Sequence, residues 1–259
     1  MSLSHPGPSN PNLPADLRLI LFDLDGTLRY SRPKYDHALY DYAVQLGLPD
    51  DPLQRLDFAR WTHYYWAQSP ELIQDIQTYP DMDVPFWDHY MLRSLRALDC
   101  PADCANDLAP KIRLYMQDEY RPEDIVSPDV PETLQALQAA GYRLGLLSNR
   151  THSCQEHLEQ LHLHTYFEFT LTAGEVNSWK PDPGIFQHAL QRLGVTSHQA
   201  LYVGDNYYAD VVGAQRAGVQ PVLLDPDGVF PDADCPVIRR MGELPGLLDG
   251  RAPRQAASQ

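Results

Sequence analysis

The chain has 259 residues, 43% of them hydrophobic, which is enough to bury one large core or a core with a smaller companion domain. Its formal net charge of −15 repels polyanions and disfavours nucleic-acid binding. Four cysteines without a Cys-x-x-Cys pair do not indicate a disulfide scaffold, and no apolar run is long enough to span a bilayer. We therefore expect a globular cytoplasmic protein with neither a membrane nor a nucleic-acid partner.

The first predicted element follows a polar N-terminal segment. Residues 1–16 are rich in Pro, Ser and Asn, and residues 249–259 are polar and small, so both ends are expected to be disordered. Arg18 to Phe22 is a short, mainly apolar run, typical of a buried strand. That strand ends at Asp23.

Residues 31–123 differ from the rest of the chain. They contain helical periodicities but no convincing buried strand, which predicts an inserted helical domain. Aromatic residues are dense in two stretches, WTHYYW (Trp61 to Trp66) and FWDHY (Phe86 to Tyr90). We expect them to pack the core of a small helical bundle, and a ligand-stacking platform is the alternative.

Units of one helix and one strand follow the insert. In the first unit, a helical stripe of Leu134, Leu137 and Ala140 ends at Gly141. The apolar run after it ends at Ser148, which predicts a second buried strand.

The next unit has the same pattern. Asp182 is placed as the N-cap of a helix that Gly194 ends. A strand from Leu201 to Val203 then leads into Gly204 and Asp205.

The last unit is a helix over residues 209–217 and a strand over 222–225. Helices alternating with short apolar strands predict an α/β fold with a Rossmann-like, doubly wound parallel sheet. This core is expected to comprise residues 17–30 and 124–248, with residues 31–123 inserted as the helical domain.

Acidic residues cluster where the predicted strands end, and open parallel sheets bind ligands at that edge. The polar residues expected there are Asp23, Asp25, Ser148, Asp205 and Asp210. Lys180, placed before a proline that favours extended backbone, is the one cation expected near them. Clustered carboxylates repel one another unless a divalent cation binds them, and oxygen-only ligands suit Mg²⁺. The sequence therefore predicts a Mg²⁺ site.

Four stretches in order resemble the motifs of the haloacid dehalogenase superfamily. They are FDLDGTL from Phe22, LLSN from Leu146, KPDPGIF from Lys180 and GDNYYAD from Gly204. The resemblance extends from about Arg18 to Asp225, and the helical insert resembles the cap domain that this superfamily can place directly after the first motif.

By this resemblance, the chain is expected to be a Mg²⁺-dependent phosphatase that hydrolyses a small phosphorylated metabolite through an aspartyl-phosphate. Asp23 is implied as the nucleophile, and Asp25 as the acid that protonates the leaving oxygen and later the base that deprotonates water. Dehalogenases of the superfamily lack an acid at the Asp25 position, because a halide leaves without a proton. Asp25 therefore favours phosphoryl chemistry.

The resemblance also implies roles for the residues around the two catalytic aspartates. The phosphate-binding residues are Ser148, Asn149 and Lys180. The Mg²⁺ ligands are Asp23, the backbone carbonyl of Asp25, and Asp205. Thr27 and Asp210 are supporting residues.

One departure from the superfamily pattern lies after the first motif. Relatives with this cap often carry an acid in DGTLxD, whereas here Leu28 is followed by Arg29, Tyr30, Ser31 and Arg32. Arg29 or Arg32 could contact an anionic part of the substrate, and the alternative is two solvent-exposed arginines on a hinge.

Two enzyme functions and one binding function stay open at this point. A phosphomutase uses the same aspartyl-phosphate but excludes water, and a non-catalytic phosphate-binding protein would retain the fold without turnover. The histidine-rich stretch from His152 to His164 invites a zinc interpretation with Cys154. Its spacing fits no paired-ligand zinc pattern, and it is predicted to be a surface helix.

Overall fold

A computed structural model of the chain describes residues 16–248. The predicted disordered ends lie outside these residues, apart from Asp16. The strands, in chain order, are β1 (Leu19–Phe22), β2 (Arg29–Arg32), β3 (Glu123–Val126), β4 (Arg143–Ser148), β5 (Phe169–Thr172), β6 (Ala200–Gly204), β7 (Gln220–Leu224) and β8 (Val237–Ile238).

The α-helices of the same residues are α1 (Tyr35–Gln45), α2 (Pro52–Trp66), α3 (Pro70–Thr78), α4 (Val84–Ala97), α5 (Ala102–Asp118), α6 (Asp129–Ala139), α7 (Gln155–Gln160), α8 (Ala173–Val176), α9 (Gly184–Leu193), α10 (Val212–Arg216) and α11 (Leu244–Leu247). A π-helical turn, Tyr207–Val211, precedes α10. Within the described part of the chain, none of these helices is both long and apolar enough to cross a membrane.

The described chain divides into two compact units. The sheet unit comprises residues 16–28, 126–228 and 232–248, and the helical unit comprises residues 29–125 with 229–231. The predicted insert, residues 31–123, lies within the helical unit. Two short strands at its ends, β2 and β3, pair with each other. Neither was predicted, because both are half-buried or exposed and so lack an apolar run.

The sheet unit confirms the predicted α/β fold. Its six strands lie in the order β5-β4-β1-β6-β7-β8 and all pair in parallel. Every residue of β1 is buried, with Ile20 and Phe22 in one apolar cluster and Leu19 and Leu21 in another. Alternating side chains that are buried on both faces require helices on both faces, which is the doubly wound arrangement.

The structure differs from the predicted elements at sheet edges and helix starts. The two outer strands were not predicted: threonines interrupt the apolar run of β5, one of them half-buried, and β8 has only two residues. Helix α9 begins at Gly184, with Pro183 as its N-cap. Asp182, the predicted N-cap, is one residue earlier but still accepts a hydrogen bond from the Gly184 backbone N–H (2.8 Å).

The helical unit consists of α1 to α5 around an aromatic core. Tyr65, Phe86 and Tyr90 are fully buried there, and the Trp61 ring stacks on Tyr65 at 5.3 Å and on Phe58 at 5.8 Å between centroids. These contacts confirm the packing prediction for the aromatic stretches. A ring buries a large apolar area at little conformational cost, which suits the core of a small bundle.

Candidate active site

The register of the central strands brings the predicted site residues to one edge of the sheet. Phe22, the last residue of β1, is level with Leu146 of β4 and Val203 of β6. The residues that follow these strands therefore converge. A backbone hydrogen bond from Asp23 N to Val203 O (2.9 Å) continues the pairing beyond the strand.

Three carboxylates meet at this edge. Oxygen atoms of Asp23, Asp205 and Asp210 all lie within 4.8 Å of one another. Asp23 and Asp210 are buried, and Asp205 is half-buried. Across residues 16–248, this is the one cluster of three or more metal-capable side chains, and it consists of oxygen donors, which hard cations such as Mg²⁺ prefer.

Lys180 is the buried cation that pairs with two of these carboxylates, Asp23 and Asp210. Its Nζ donates to Asp23 Oδ1, Asp210 Oδ1 and the Tyr202 hydroxyl, each at 2.7 Å. An ammonium has three N–H donors, so these contacts use all of them. The predicted placement of Lys180 beside the carboxylates is confirmed, but it is not the one cation there, because Arg150 pairs with Asp25. A contact of Lys180 with a phosphoryl oxygen stays a prediction.

The electrostatics of the cluster follow from burial and charge number. Burial raises the pKa of Asp23 and the neighbouring carboxylates raise it further, against the opposing effect of Lys180. Burial alone would lower the pKa of Lys180, but attraction to Asp210 and Asp23 outweighs it and holds the pKa above its usual value. The lysine thus stays charged, and the carboxylates remain in excess over it.

Two glycines make room for two of these aspartates. Gly26 has φ +98°, and a Cβ there would lie 2.3 Å from Asp205 Oδ2. A Cβ on Gly204 would lie 2.4 Å from the Asp210 carboxyl carbon. Contacts this short do not occur for real Cβ atoms, so both carboxylates depend on a glycine at the facing position.

Side chains and turns next to the strands hold the acids in place. The Thr27 hydroxyl donates to Asp205 Oδ1 (3.0 Å), and its supporting role in the reaction stays a prediction. Asn206 caps the π-helical turn by accepting from the backbone N–H groups of Tyr208 and Ala209. The backbone N–H of Asn206 donates to Asp210 Oδ2 (2.9 Å). This contact holds the Asp210 carboxylate beside the residues that follow β6.

Asp25 lies in a different environment from Asp23. Its carboxylate side chain is 35% exposed, against 8% for Asp23, and it accepts two hydrogen bonds from Arg150. Arg150 was not predicted as a site residue although it directly follows the LLSN stretch, because a single arginine after a strand has no distinguishing pattern. Tyr202 was missed as well, and its only signal is a polar tip inside an apolar strand.

Ser148 and Asn149, predicted as phosphate-binding residues, end β4 and begin the loop after it. Ser148 is buried at the carboxyl end of the strand. The Asn149 side chain donates to Lys180 O (2.9 Å) and accepts from Lys180 N (2.7 Å). This geometry gives the Asn149 amide a role in positioning Lys180, and a phosphate contact by either residue stays a prediction.

The two predicted substrate arginines belong to the helical unit. Arg29 Nη1 pairs with Asp124 Oδ1 at 2.9 Å, and its side chain is 16% exposed. Arg32 donates to the Tyr30 hydroxyl (2.9 Å). Each therefore has a protein partner in its own unit, and a substrate contact for either stays a prediction.

The histidine-rich stretch forms a shorter helix than expected. Only Gln155–Gln160 is α-helical, and Cys154 and Leu158 are buried against the sheet unit's core. The metal-capable cluster within residues 16–248 includes no histidine or cysteine.

Comparisons with known proteins agree with the geometry. The chain is 36% identical over 220 residues to haloacid dehalogenase-like hydrolase domain-containing protein 3 of Xenopus laevis, covering 81% of this chain and 85% of that protein. It is 27% identical over 246 residues to phosphoserine phosphatase of Thermus thermophilus, covering 88% and 96%. The crystal structure of 2-haloacid dehalogenase from Pseudomonas syringae superposes with a TM-score of 0.51 at 26% identity, covering 90% and 98%.

A family model described as haloacid dehalogenase-like hydrolase matches residues 17–218. That range includes all four motifs and every carboxylate of the site. The chain belongs to the haloacid dehalogenase-like hydrolase family.

Proposed function

We propose that this hydrolase is a Mg²⁺-dependent phosphatase that acts on a small phosphorylated metabolite through an aspartyl-phosphate. The observation that carries the proposal is the division between two carboxylates on one turn. Asp23 is buried against Lys180, whereas Asp25, two residues later, is partly exposed and paired with Arg150. Unequal environments suit unequal roles, one carboxylate as nucleophile and the other as proton carrier.

The first step uses Asp23 as the nucleophile. Its carboxylate oxygen attacks phosphorus, and the bond from phosphorus to the substrate oxygen breaks. Asp25 gives its proton to that leaving oxygen, so an alcohol departs rather than an alkoxide. The hydrogen bond from Lys180 to Asp23 Oδ1 restrains the carboxylate's orientation before the attack.

The second step regenerates the enzyme. Asp25, now a carboxylate, takes a proton from water as the water oxygen attacks phosphorus. The bond between phosphorus and Asp23 breaks, and inorganic phosphate leaves. In this proposal Ser148, the last residue of β4, would donate a hydrogen bond to a phosphoryl oxygen, and Lys180 would contribute positive charge nearby.

The donor set fits a bound Mg²⁺. The ligands would be Asp23, the backbone carbonyl of Asp25, and Asp205, with Asp210 supporting them through Lys180 and Asn206. A single ammonium faces three carboxylates within the cluster, so a divalent cation would remove the excess negative charge. When bound, Mg²⁺ supplies electrostatic stabilisation of the charge that develops on the transferring phosphoryl group.

Carbon–halogen cleavage is the second candidate, since one similar structure is a 2-haloacid dehalogenase. Halide release needs no proton donor, so Asp25 and its arginine partner would have no part in that first step. A relative named as a phosphatase matches 88% of the chain. A phosphomutase would share Asp23 and Asp25 but pass the phosphoryl group to a sugar hydroxyl instead of water.

The test is a panel of phosphate esters with Mg²⁺, including phosphoglycolate, hexose phosphates and nucleoside monophosphates. We expect phosphate release from at least one small ester, and its loss in excess EDTA or in Asp23→Asn. Asp232→Asn, the same change at an exposed acid of the sheet unit, is the control and should retain activity. Phosphoryl transfer between sugar positions without phosphate release would identify a mutase, and halide release from 2-haloacids alone would overturn the proposal.

A further inference from the structure

Arg150 holds both carboxylate oxygens of Asp25. Its Nε donates to Asp25 Oδ2 (2.7 Å) and its Nη2 donates to Oδ1 (2.8 Å), across 125 positions of sequence. The side chains are 29% and 35% exposed. A bidentate fork fixes the plane of a carboxylate, which a single hydrogen bond does not.

The loop that carries Arg150 is itself fixed by backbone contacts. Gly174 N donates to Arg150 O (3.1 Å), and a Cβ on Gly174 would lie 1.8 Å from Thr151 O. Only glycine allows the two backbones to approach so closely. The Asn149 side chain bonds both the N–H and the C=O of Lys180. The loop therefore carries Arg150, the partner of Asp25, and through Asn149 it also holds the backbone of Lys180, the partner of Asp23.

We propose that Arg150 is a positioning residue that orients the Asp25 carboxylate for proton transfer. The proposal rests on the proposed function, because it assigns Arg150 to the acid and base steps of Asp25. A carboxylate has about four lone-pair sites, and the fork uses one on each oxygen. Proton transfer requires a donor held at hydrogen-bond distance from the leaving oxygen, and a third-exposed aspartate would otherwise sample several rotamers.

Solvent exposure limits what this pair contributes to folding stability. Exposed ion pairs typically contribute roughly 0–1 kcal/mol, and a bidentate, partly buried pair such as this one lies at or above the upper end of that range. A substrate-binding role is also less consistent with the geometry, because two N–H groups of Arg150 already point to Asp25. Orientation of the proton carrier is what the fork supplies.

The test compares alkyl and aryl phosphates, using kcat/KM. That ratio reports steps up to departure of the leaving group, so it isolates the acid step from the later attack by water. In Arg150→Met we expect kcat/KM to fall roughly 10–100-fold for an alkyl phosphate, because misplaced catalytic groups lose about this much. For p-nitrophenyl phosphate, whose leaving group needs little protonation, we expect a loss of less than about threefold.

Two further variants make the comparison sharper. Arg150→Lys retains the charge but not the fork, and should recover only part of the alkyl rate. Arg143→Met is the control: Arg143 begins β4, the strand that leads to Arg150, and pairs with Glu168 at the opposite end (2.7 Å). It should leave the alkyl-to-aryl ratio unchanged.

A double-mutant cycle separates this proposal from the proposed function. If Arg150 acts through Asp25, Arg150→Met should have little further effect on kcat/KM in an Asp25→Asn enzyme. Equal losses for alkyl and aryl esters, or a full loss in the Asp25→Asn background, would overturn the positioning role. A wild-type enzyme with no phosphatase activity, or an Asp25→Asn enzyme with the parent alkyl rate, would instead refute the proposed function.

Discussion

The helical unit and the sheet unit each bury an ionic cluster around a tyrosine hydroxyl, and the two clusters differ in charge balance. In the helical unit, Asp75 Oδ2 accepts from Tyr65 (2.8 Å), and Arg93 contacts both Asp75 oxygens (2.6 and 2.7 Å). His89 Nε2 lies 3.2 Å from Asp75 Oδ1. One carboxylate therefore meets one guanidinium and two further polar groups, and the charge is compensated.

In the sheet unit, the negative charges of the cluster outnumber its positive charge. Lys180 is the single cation in contact with Asp23 and Asp210, and Asp205 lies within the same cluster. The two tyrosines have opposite roles, because the Tyr202 hydroxyl accepts from the cation Lys180 whereas the Tyr65 hydroxyl donates to the carboxylate of Asp75. The uncompensated charge supports the proposal that the sheet cluster binds a cation and carries the reaction, whereas the compensated helical cluster is expected to stabilise its fold.

The largest expected difference concerns Asp23, the proposed nucleophile. Asp23→Asn should lower phosphate release by roughly 10⁴-fold or more, because an amide cannot form the aspartyl-phosphate. Its unfolding free energy should stay within about 1 kcal/mol of the parent, since the change removes one charge from an acid-rich cluster. Steady-state phosphate release and urea denaturation measure the two effects. A variant that is inactive because it is largely unfolded would contradict the comparison.

The corresponding change in the helical cluster should act on stability. Asp75→Asn leaves Arg93, whose side chain is 21% exposed, without its charged partner. We expect a loss of about 2–4 kcal/mol in unfolding free energy, measured by urea denaturation. Asp107→Asn is the control, because Asp107 pairs with Lys111 on the surface of α5 (2.7 Å). It should cost less than about 0.5 kcal/mol, and equal losses for the two variants would show that burial does not distinguish these pairs.

Glycine substitution separates backbone strain from damage to the site. Gly26→Ala strains a residue with φ +98° and also pushes against Asp205. Gly141→Ala strains a residue with φ +90° but has open space around the new Cβ. Both variants should lose about 1–2 kcal/mol of unfolding free energy. Only Gly26→Ala should also need more Mg²⁺ for half-maximal activity and release phosphate more slowly, as measured by Mg²⁺ titration of activity. Similar Mg²⁺ titrations for both variants would argue against Gly26 as the clearance for Asp205.

The smallest expected effect is a pH dependence in the helical cluster. Burial alone would raise the pKa of Asp75, but hydrogen bonds from Arg93 and Tyr65 outweigh it and hold the pKa below its usual value. The stabilisation is therefore complete above the unfolded pKa of about 3.9 and is lost as pH falls through the lower folded pKa. The stability gap between wild type and Asp75→Asn should narrow as pH falls below about 4 in urea denaturation. A gap that widens in acid would show that the pKa is raised instead.

Central strands were predictable from local pattern, and edge strands were not. Strands β1, β4 and β6 are buried on both faces, so each is a continuous apolar run that a sequence displays directly. Strand β5 is FTLT, with a half-buried threonine, and β8 has two residues. Their pairing depends on the neighbouring strand rather than on their own residues, so only the assembled sheet reveals them.

The sequence by itself determined which polar residues follow the central strands, because Asp23, Ser148 and Asp205 each stand directly at or after a strand end. Only the tertiary structure decided which partners hold the side chains of the site. The pairing of Asp25 with Arg150 joins residues 125 positions apart, and the contact of Lys180 with Tyr202 joins residues 22 apart. Ion pairing depends on distances of a few ångströms in space. The number of residues between two side chains does not determine those distances, which depend on the register of the strands.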